Sequence, residues 1–179
     1  MTTATTAQTR QWHGMYEGVV VSAVDPTGVG KLLVRVPEVL GAEAAVWAAP
    51  LTPLAGSDCG MYVVPPPDSG VWVRFLDGDP ERAVWVGFRR GGSGDVPSAA
   101  KSAPPGVPQI VLATPSGNAL VISDVPGPGG GIKLQLHGEN GPFIRINETS
   151  IEISCGPGLA TVQLAGPQVT VNSGALTVL

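Results

Sequence analysis

Ile132-Lys133-Leu134-Gln135-Leu136, Ile144-Arg145-Ile146, Ile151-Glu152-Ile153, Val162-Gln163-Leu164, Val169-Thr170-Val171 and Leu176-Thr177-Val178 follow one another through the last third of the chain. In every segment apolar and polar residues alternate. Successive side chains of a β-strand point to opposite faces, so this two-residue period gives each segment one apolar and one polar face. The stretches between them (127–131, 138–142, 147–150, 156–158, 166–167 and 172–174) are rich in Gly, Pro, Asn and Ser, the residues that turns select. Residues 109–179 therefore read as a series of very short strands.

Such strands bury little by themselves. Two apolar side chains each, at about 25 cal/mol per Å², barely offset the entropy of ordering the backbone. Phe143 is the only aromatic residue after position 109, so one chain is poorly equipped to fill a sandwich core. A single-chain solenoid would show a fixed repeat, whereas successive apolar pairs here begin 12, 7, 11, 7 and 7 residues apart. The uneven spacing favours an intertwined oligomer of three parallel chains, apolar inside and polar outside. Each strand would pair with a neighbouring subunit, which removes exposed sheet edges. Ile132, Leu134, Leu136, Ile144, Ile146, Ile151, Ile153, Val162, Leu164, Val169 and Val171 are the residues expected on its axis.

The first half is also β, and no segment holds helical apolar spacing for ten residues. Residues 18–24 form a β-branched run ended by Asp25-Pro26-Thr27-Gly28, and Lys31 to Pro37 follows. Val71-Trp72-Val73-Arg74-Phe75-Leu76 and Ala83-Val84-Trp85-Val86-Gly87-Phe88 flank a polar loop, as in a hairpin. About five strands over residues 16–91 fit a small closed barrel of the OB or SH3 kind, with Val20, Val34, Val36, Trp72, Phe75 and Trp85 as its expected core. Residues 92–108 are Gly-, Ser-, Ala- and Pro-rich and read as a semi-extended linker; 1–15 form an N-terminal segment.

Composition narrows the function classes. Charged residues are 13% of the chain, the net charge is −4 and the pI is near 5.0, which disfavours a phosphate-binding surface. No apolar run is long enough to span a bilayer. Residues 1–10 are polar and Thr-rich, without the apolar stretch of a secretory signal, so cytoplasmic synthesis and assembly are expected. Cys59 and Cys155 fall in different halves and read as small buried residues, not as a disulfide or metal site.

His13-Gly14-Met15-Tyr16-Glu17-Gly18-Val19-Val20, Asp25-Pro26, Gly30-Lys31-Leu32-Leu33-Val34-Arg35-Val36-Pro37 and Trp47-Ala48-Ala49-Pro50 resemble the OB domain of phage baseplate assembly protein V. They are also similar to the spike proteins of type VI secretion and of extracellular contractile injection systems. Val64-Pro65-Pro66, Gly70-Val71-Trp72-Val73-Arg74-Phe75, Gly78-Asp79-Pro80 and Val84-Trp85-Val86-Gly87 continue the pattern in order. Ile122-Ser123-Asp124, Pro126-Gly127 and Val171-Asn172-Ser173-Gly174-Ala175-Leu176 look like that family's β-helical spike. The resemblance implies an all-β homotrimer, an OB barrel followed by an intertwined triple-stranded β-helix. It would be the central puncturing spike of a phage-tail-like baseplate, in a virion or an extracellular injection particle. The barrel would sit on a hub protein, and the needle would meet a target membrane on firing. No lysozyme domain fits between the halves, and the chain ends Leu176-Thr177-Val178-Leu179 without the His-x-His pair that holds iron in some phage spikes. An apolar end formed by Leu176, Val178 and Leu179 suggests a separate tip protein of the PAAR-repeat type.

Sharper readings find less support. His13 and His137 are isolated. Gly129-Gly130-Gly131 lacks the Lys-Ser/Thr of a phosphate loop, and Asp77, Asp79 and Glu81 give an incomplete calcium loop. No nucleophile elbow or Cys-His pairing is present, so neither an enzyme nor a cofactor site is expected. The principal alternative is an OB binding module on a trimeric β-fibre stalk, for nucleic acid or carbohydrate. Trp72, Phe75, Trp85 and Phe88 could stack bases beside Arg74, Arg82, Arg89 and Arg90, but acids outnumber bases in this half. A carbohydrate-binding fibre would call for exposed aromatics in the second half.

Overall fold

A computed structural model describes residues 10–178, the side chains of 177 and 178 excepted. It divides into two compact units between Gly91 and Gly92. Both are built of strands, and the longest α-helix among the described residues is the single turn Pro37–Leu40.

In the first unit β1 (Tyr16–Ser22), β2 (Leu32–Arg35), β3 (Ala45–Pro50), β6 (Gly70–Phe75) and β7 (Ala83–Arg89) close a barrel in the order β1-β2-β3-β7-β6. A small hairpin, β4 (Ala55–Gly56) with β5 (Cys59–Gly60), is inserted between β3 and β6. Neighbouring barrel strands are antiparallel except β3 and β7, whose parallel pairing through Ala49↔Val84 and Pro50↔Trp85 shuts the barrel. Val20, Leu32, Val34, Val36, Ala48, Val71, Val73, Phe75, Ala83 and Trp85 fill it, all buried. Trp72, expected in the core, is not there. Val71, Val73 and Phe75 already take the inward positions of β6, so the two-residue period turns Trp72 and Arg74 to the outside. Phe75 and Trp72, three apart on one strand, cannot share a face.

The β1–β2 loop is tied by one carboxylate. The Thr27 amide and hydroxyl donate to Asp25 Oδ1 at 2.9 and 2.7 Å, and the amides of Val29 and Lys31 donate to Oδ2 at 2.9 and 3.0 Å. Partial desolvation raises the Asp25 pKa, but these four bonds outweigh it and hold the group well below the ordinary carboxylate range. Gly30, at the end of this loop, accepts a bond of 3.2 Å from the buried Trp85 indole.

The second unit opens with two 3₁₀ turns, Ser93–Asp95 and Ser98–Ala100. The segment read as a semi-extended linker is thus partly turned, and the Gln109 amide fastens it by donating to the Ala100 carbonyl at 2.8 Å. Eight strands follow: β8 (Gln109–Ala113), β9 (Ala119–Ser123), β10 (Gly131–Gln135), β11 (Phe143–Ile146), β12 (Ile151–Ser154), β13 (Thr161–Ala165), β14 (Gln168–Val171) and β15 (Leu176–Val178). They form one sheet in sequence order, every neighbouring pair antiparallel. Within the chain, short turns pair each strand with the one before it. The reason is entropic: a short turn returns the chain to its own previous strand at small closure cost.

The turns bring backbones very close. A Cβ on Gly131, whose φ is +85°, would lie 2.0 Å from the Ile146 carbonyl oxygen, and one on Gly141 would lie 1.8 Å from that of Leu136. Only glycine fits at either position.

Candidate functional site

The meander stacks its apolar residues in register. Ile110, Ile122, Ile132, Ile146, Ile151, Leu164, Val169 and Val178 stand opposite one another across the eight strands. Leu112, Leu120, Leu134, Ile144, Ile153, Val162, Val171 and Leu176 make a second such row. Strand alternation puts both rows on one face of the sheet. Leu136, one residue beyond β10, is in phase with Leu134 and is half exposed. Val178 takes its register position, but its side chain, like all of Leu179, lies outside the described residues. Leu176 is exposed.

In β10, β11 and β12 burial on the two faces is inverted relative to a soluble sheet. Leu134 is 49% and Ile153 50% exposed, while their polar neighbours Gln135 and Ser154 are 6% and 5% exposed. On the polar face Arg145 Nη2 donates to Glu152 Oε2 at 2.6 Å, and the Lys133 and Arg145 cations lie 5.0 and 5.4 Å from the centre of the Phe143 ring. The Gln135 amide donates to the carbonyls of Gly138 and Gly141 and closes the β10–β11 turn. Burial, then the Arg145 charge, lowers the Lys133 pKa, and Glu139 and Glu152 oppose the shift. Gln135 Oε1 and Arg145 Nε on this face are buried without a hydrogen-bond partner among the described residues. Among the described residues of the second unit no element covers the apolar face.

The rows extend beyond the residues picked out from sequence. Ile110, Leu112, Leu120 and Ile122 of β8 and β9 were missed because Val111 and Val121 stand between them, so these strands read as continuous apolar runs without a polar phase. The register to β10 is the signal that recovers them.

Chemistry-bearing residues do not converge. Among the described residues no three His, Cys, Asp or Glu side chains come together in a way that could hold a metal ion. His13 Nε2 is 3.0 Å from Gln11 Oε1. His137 sits in a turn with φ 53°, its amide bonded to Asn118 Oδ1 at 3.1 Å. Asp77 pairs with Arg82, and Cys59 and Cys155 are both exposed, not buried as expected. Of the aromatic set proposed for base stacking, Phe75 and Trp85 are buried and Phe88, its ring 5.5 Å from that of Trp85, is exposed. Arg89, one of the cations, lies 3.4 Å from Glu17.

Sequence reasoning also passed over the β4–β5 hairpin. Leu51, Leu54, Met61, Tyr62, Val63 and Val64 are all exposed there, and a cleft of about 510 Å³ separates the hairpin from the barrel wall at Trp85 and Phe88. Its signal is low charge: between Ala44 and Pro67 the single charged residue is Asp58.

Two family models match the chain. Residues 16–89 match the type VI secretion system/phage-baseplate injector OB domain. Residues 109–177 match the phage baseplate V C-terminal trimerisation domain. The chain belongs to the phage baseplate V family. The first match coincides with the barrel and the second with the meander, so together they take in most of the sequence. No curated protein matches the chain. As a baseplate V protein it is a structural component of an injector baseplate, and its second unit is a trimerisation domain. The uncovered apolar face is what such a domain requires. Among the described residues no helix is long and apolar enough to cross a membrane.

Proposed function

We propose that this baseplate V chain is the central spike of a contractile, phage-tail-like injection machine. The observation that carries the reading is the pair of apolar rows on one face of the meander, most of whose described side chains are exposed. Three copies related by a three-fold axis would turn those faces inward. Ile132, Leu134, Leu136, Ile144, Ile146, Ile151, Ile153, Val162, Leu164, Val169 and Val171 then line the axis, joined by Ile110, Leu112, Leu120 and Ile122. At about 1 kcal/mol for each half-exposed side chain removed from water, the covering gain per chain exceeds that of any single contact within the sheet. The product is a stiff prism with polar residues outside, suited to bear an axial load.

The barrel at residues 16–91 would join the hub. Leu176, Val178 and Leu179 would receive a tip protein of the PAAR-repeat type. Assembly would take place in the cytoplasm, and the needle would meet a target membrane on firing. No catalytic step and no cofactor enter this role. Electron microscopy of particles from cells carrying a tagged chain tests it. The tag is expected at one end of the tube, and a chain shortened after residue 108 should give particles without the terminal needle. Tag density along the tube or sheath, or particles lacking the chain, would overturn the reading.

A further inference from the structure

Resting on the trimeric spike proposed above, we infer that the two edges of the meander form a second contact between chains. Each strand meets the opposite end of the same strand in the next chain, head to tail, at the corners of the prism. The turns fall on two edges of the sheet. Those at 114–118, 136–142, 155–160 and 172–175 close one edge, and those at 124–130, 147–150 and 166–167 close the other. Successive turns are tied together within the chain. On the first edge the Gly138 amide donates to the Gly117 carbonyl at 2.9 Å, and on the second the Gly127 amide donates to Glu148 Oε2 at 3.0 Å. What the first edge leaves open is apolar: Leu136 is 50% and Leu159 61% exposed, and neither belongs to the two rows.

Strand length puts these edges at the corners. Packed sheets stand about 10 Å apart, so the side chains of each reach about 5 Å. A triangular prism with faces about 5 Å from its axis has sides of about 17 Å, which about five extended residues span. The strands β8 to β14 are four or five residues long. One strand therefore fills one side of the triangle, and its ends stand where the next chain begins. A three-fold rotation carries no shift along its axis, so the ends that meet at a corner belong to the same strand in two chains.

A head-to-tail contact needs two unlike surfaces on each copy, and the two edges are unlike. Leu136 follows β10, whose other end is Gly130 and Gly131; Leu159 lies just before β13, and Gly166 just after it. Bulky apolar side chains on one edge thus face backbone on the other. Charge does not oppose the contact towards the end of the meander, because no charged residue follows Glu152 and none is repeated around those corners.

The ends of β12 provide the test. Cys155 follows the strand and Thr149 precedes it, both exposed and both in phase with Ile151 and Ile153. Within one chain six residues of extended strand hold them about 20 Å apart, beyond the reach of a disulfide; across a corner they are neighbours. The full-length chain carrying Thr149→Cys and Cys59→Ser, oxidised or bridged by a short dimaleimide, should run as a covalent trimer on a denaturing, non-reducing gel. Gln163→Cys, in the middle of the outward face of β13, should run as single chains. Ser150→Cys, at the same strand end, serves if Thr149→Cys does not assemble. A trimer by light scattering that yields only single chains on the gel overturns the corner contact, and so does equal linking in Gln163→Cys. A wild-type chain that runs as a monomer removes the trimeric spike itself, whereas an intact trimer that does not link removes only this contact.

Discussion

Ile146 faces Ile132 on one side and Ile151 on the other, and 45% of its surface is open in the single chain. A carboxylate at that position is not tolerated by a shared dry axis, where three copies converge unpaired. Ile146→Asp should therefore reduce the mass in light scattering to one chain and weaken the strand circular dichroism of the second unit. Gly131→Ala tests the turn: a φ of +85° and a carbonyl 2.0 Å from the new Cβ should cost at least about 2 kcal/mol, read as a lower melting temperature. Asp25 gives the pH dependence. Its folded pKa lies below the unfolded value near 4, so its stabilising contribution is complete at neutral pH and is lost as pH falls below about 4. Asp25→Asn should melt earlier than wild type at pH 7, and the gap should close in acid. At this scale the sequence was readable where polar residues marked the phase, as Lys133 and Glu152 do. It failed at Trp72, in a run apolar on both faces, because nothing there says which alternate set points inward.

Between strands, Lys133 stands directly opposite Arg145, and Arg145 opposite Glu152. Like charges across a ladder are unfavourable, and the Arg145–Glu152 bond at 2.6 Å offsets them. Glu152→Gln leaves two adjacent cations and should destabilise the sheet by about 1 kcal/mol. A melting-temperature loss that shrinks in molar salt would identify the charge as the cause. The strands of the second unit were legible from alternation and their turns from Gly, Pro and Asn. Their partners were not legible. An alternation pattern carries no mark of the register that sets Ile132 opposite Ile146 or Ile151 opposite Leu164. The β4–β5 hairpin escaped for a related reason: strands of two residues show no period at all.

For the molecule as a whole, the barrel carries a closed core of its own, while the meander has a row of Ile, Leu and Val that one chain cannot bury. Stability in the second unit is thereby a property of the assembly and depends on protomer concentration. The mass of the intact chain in solution, by light scattering behind size exclusion, tests this most directly. Three times the 18.2 kDa of one chain, eluting early for that mass and persisting on dilution, is expected. A stable monomer of 18.2 kDa with its apolar rows in water would contradict it.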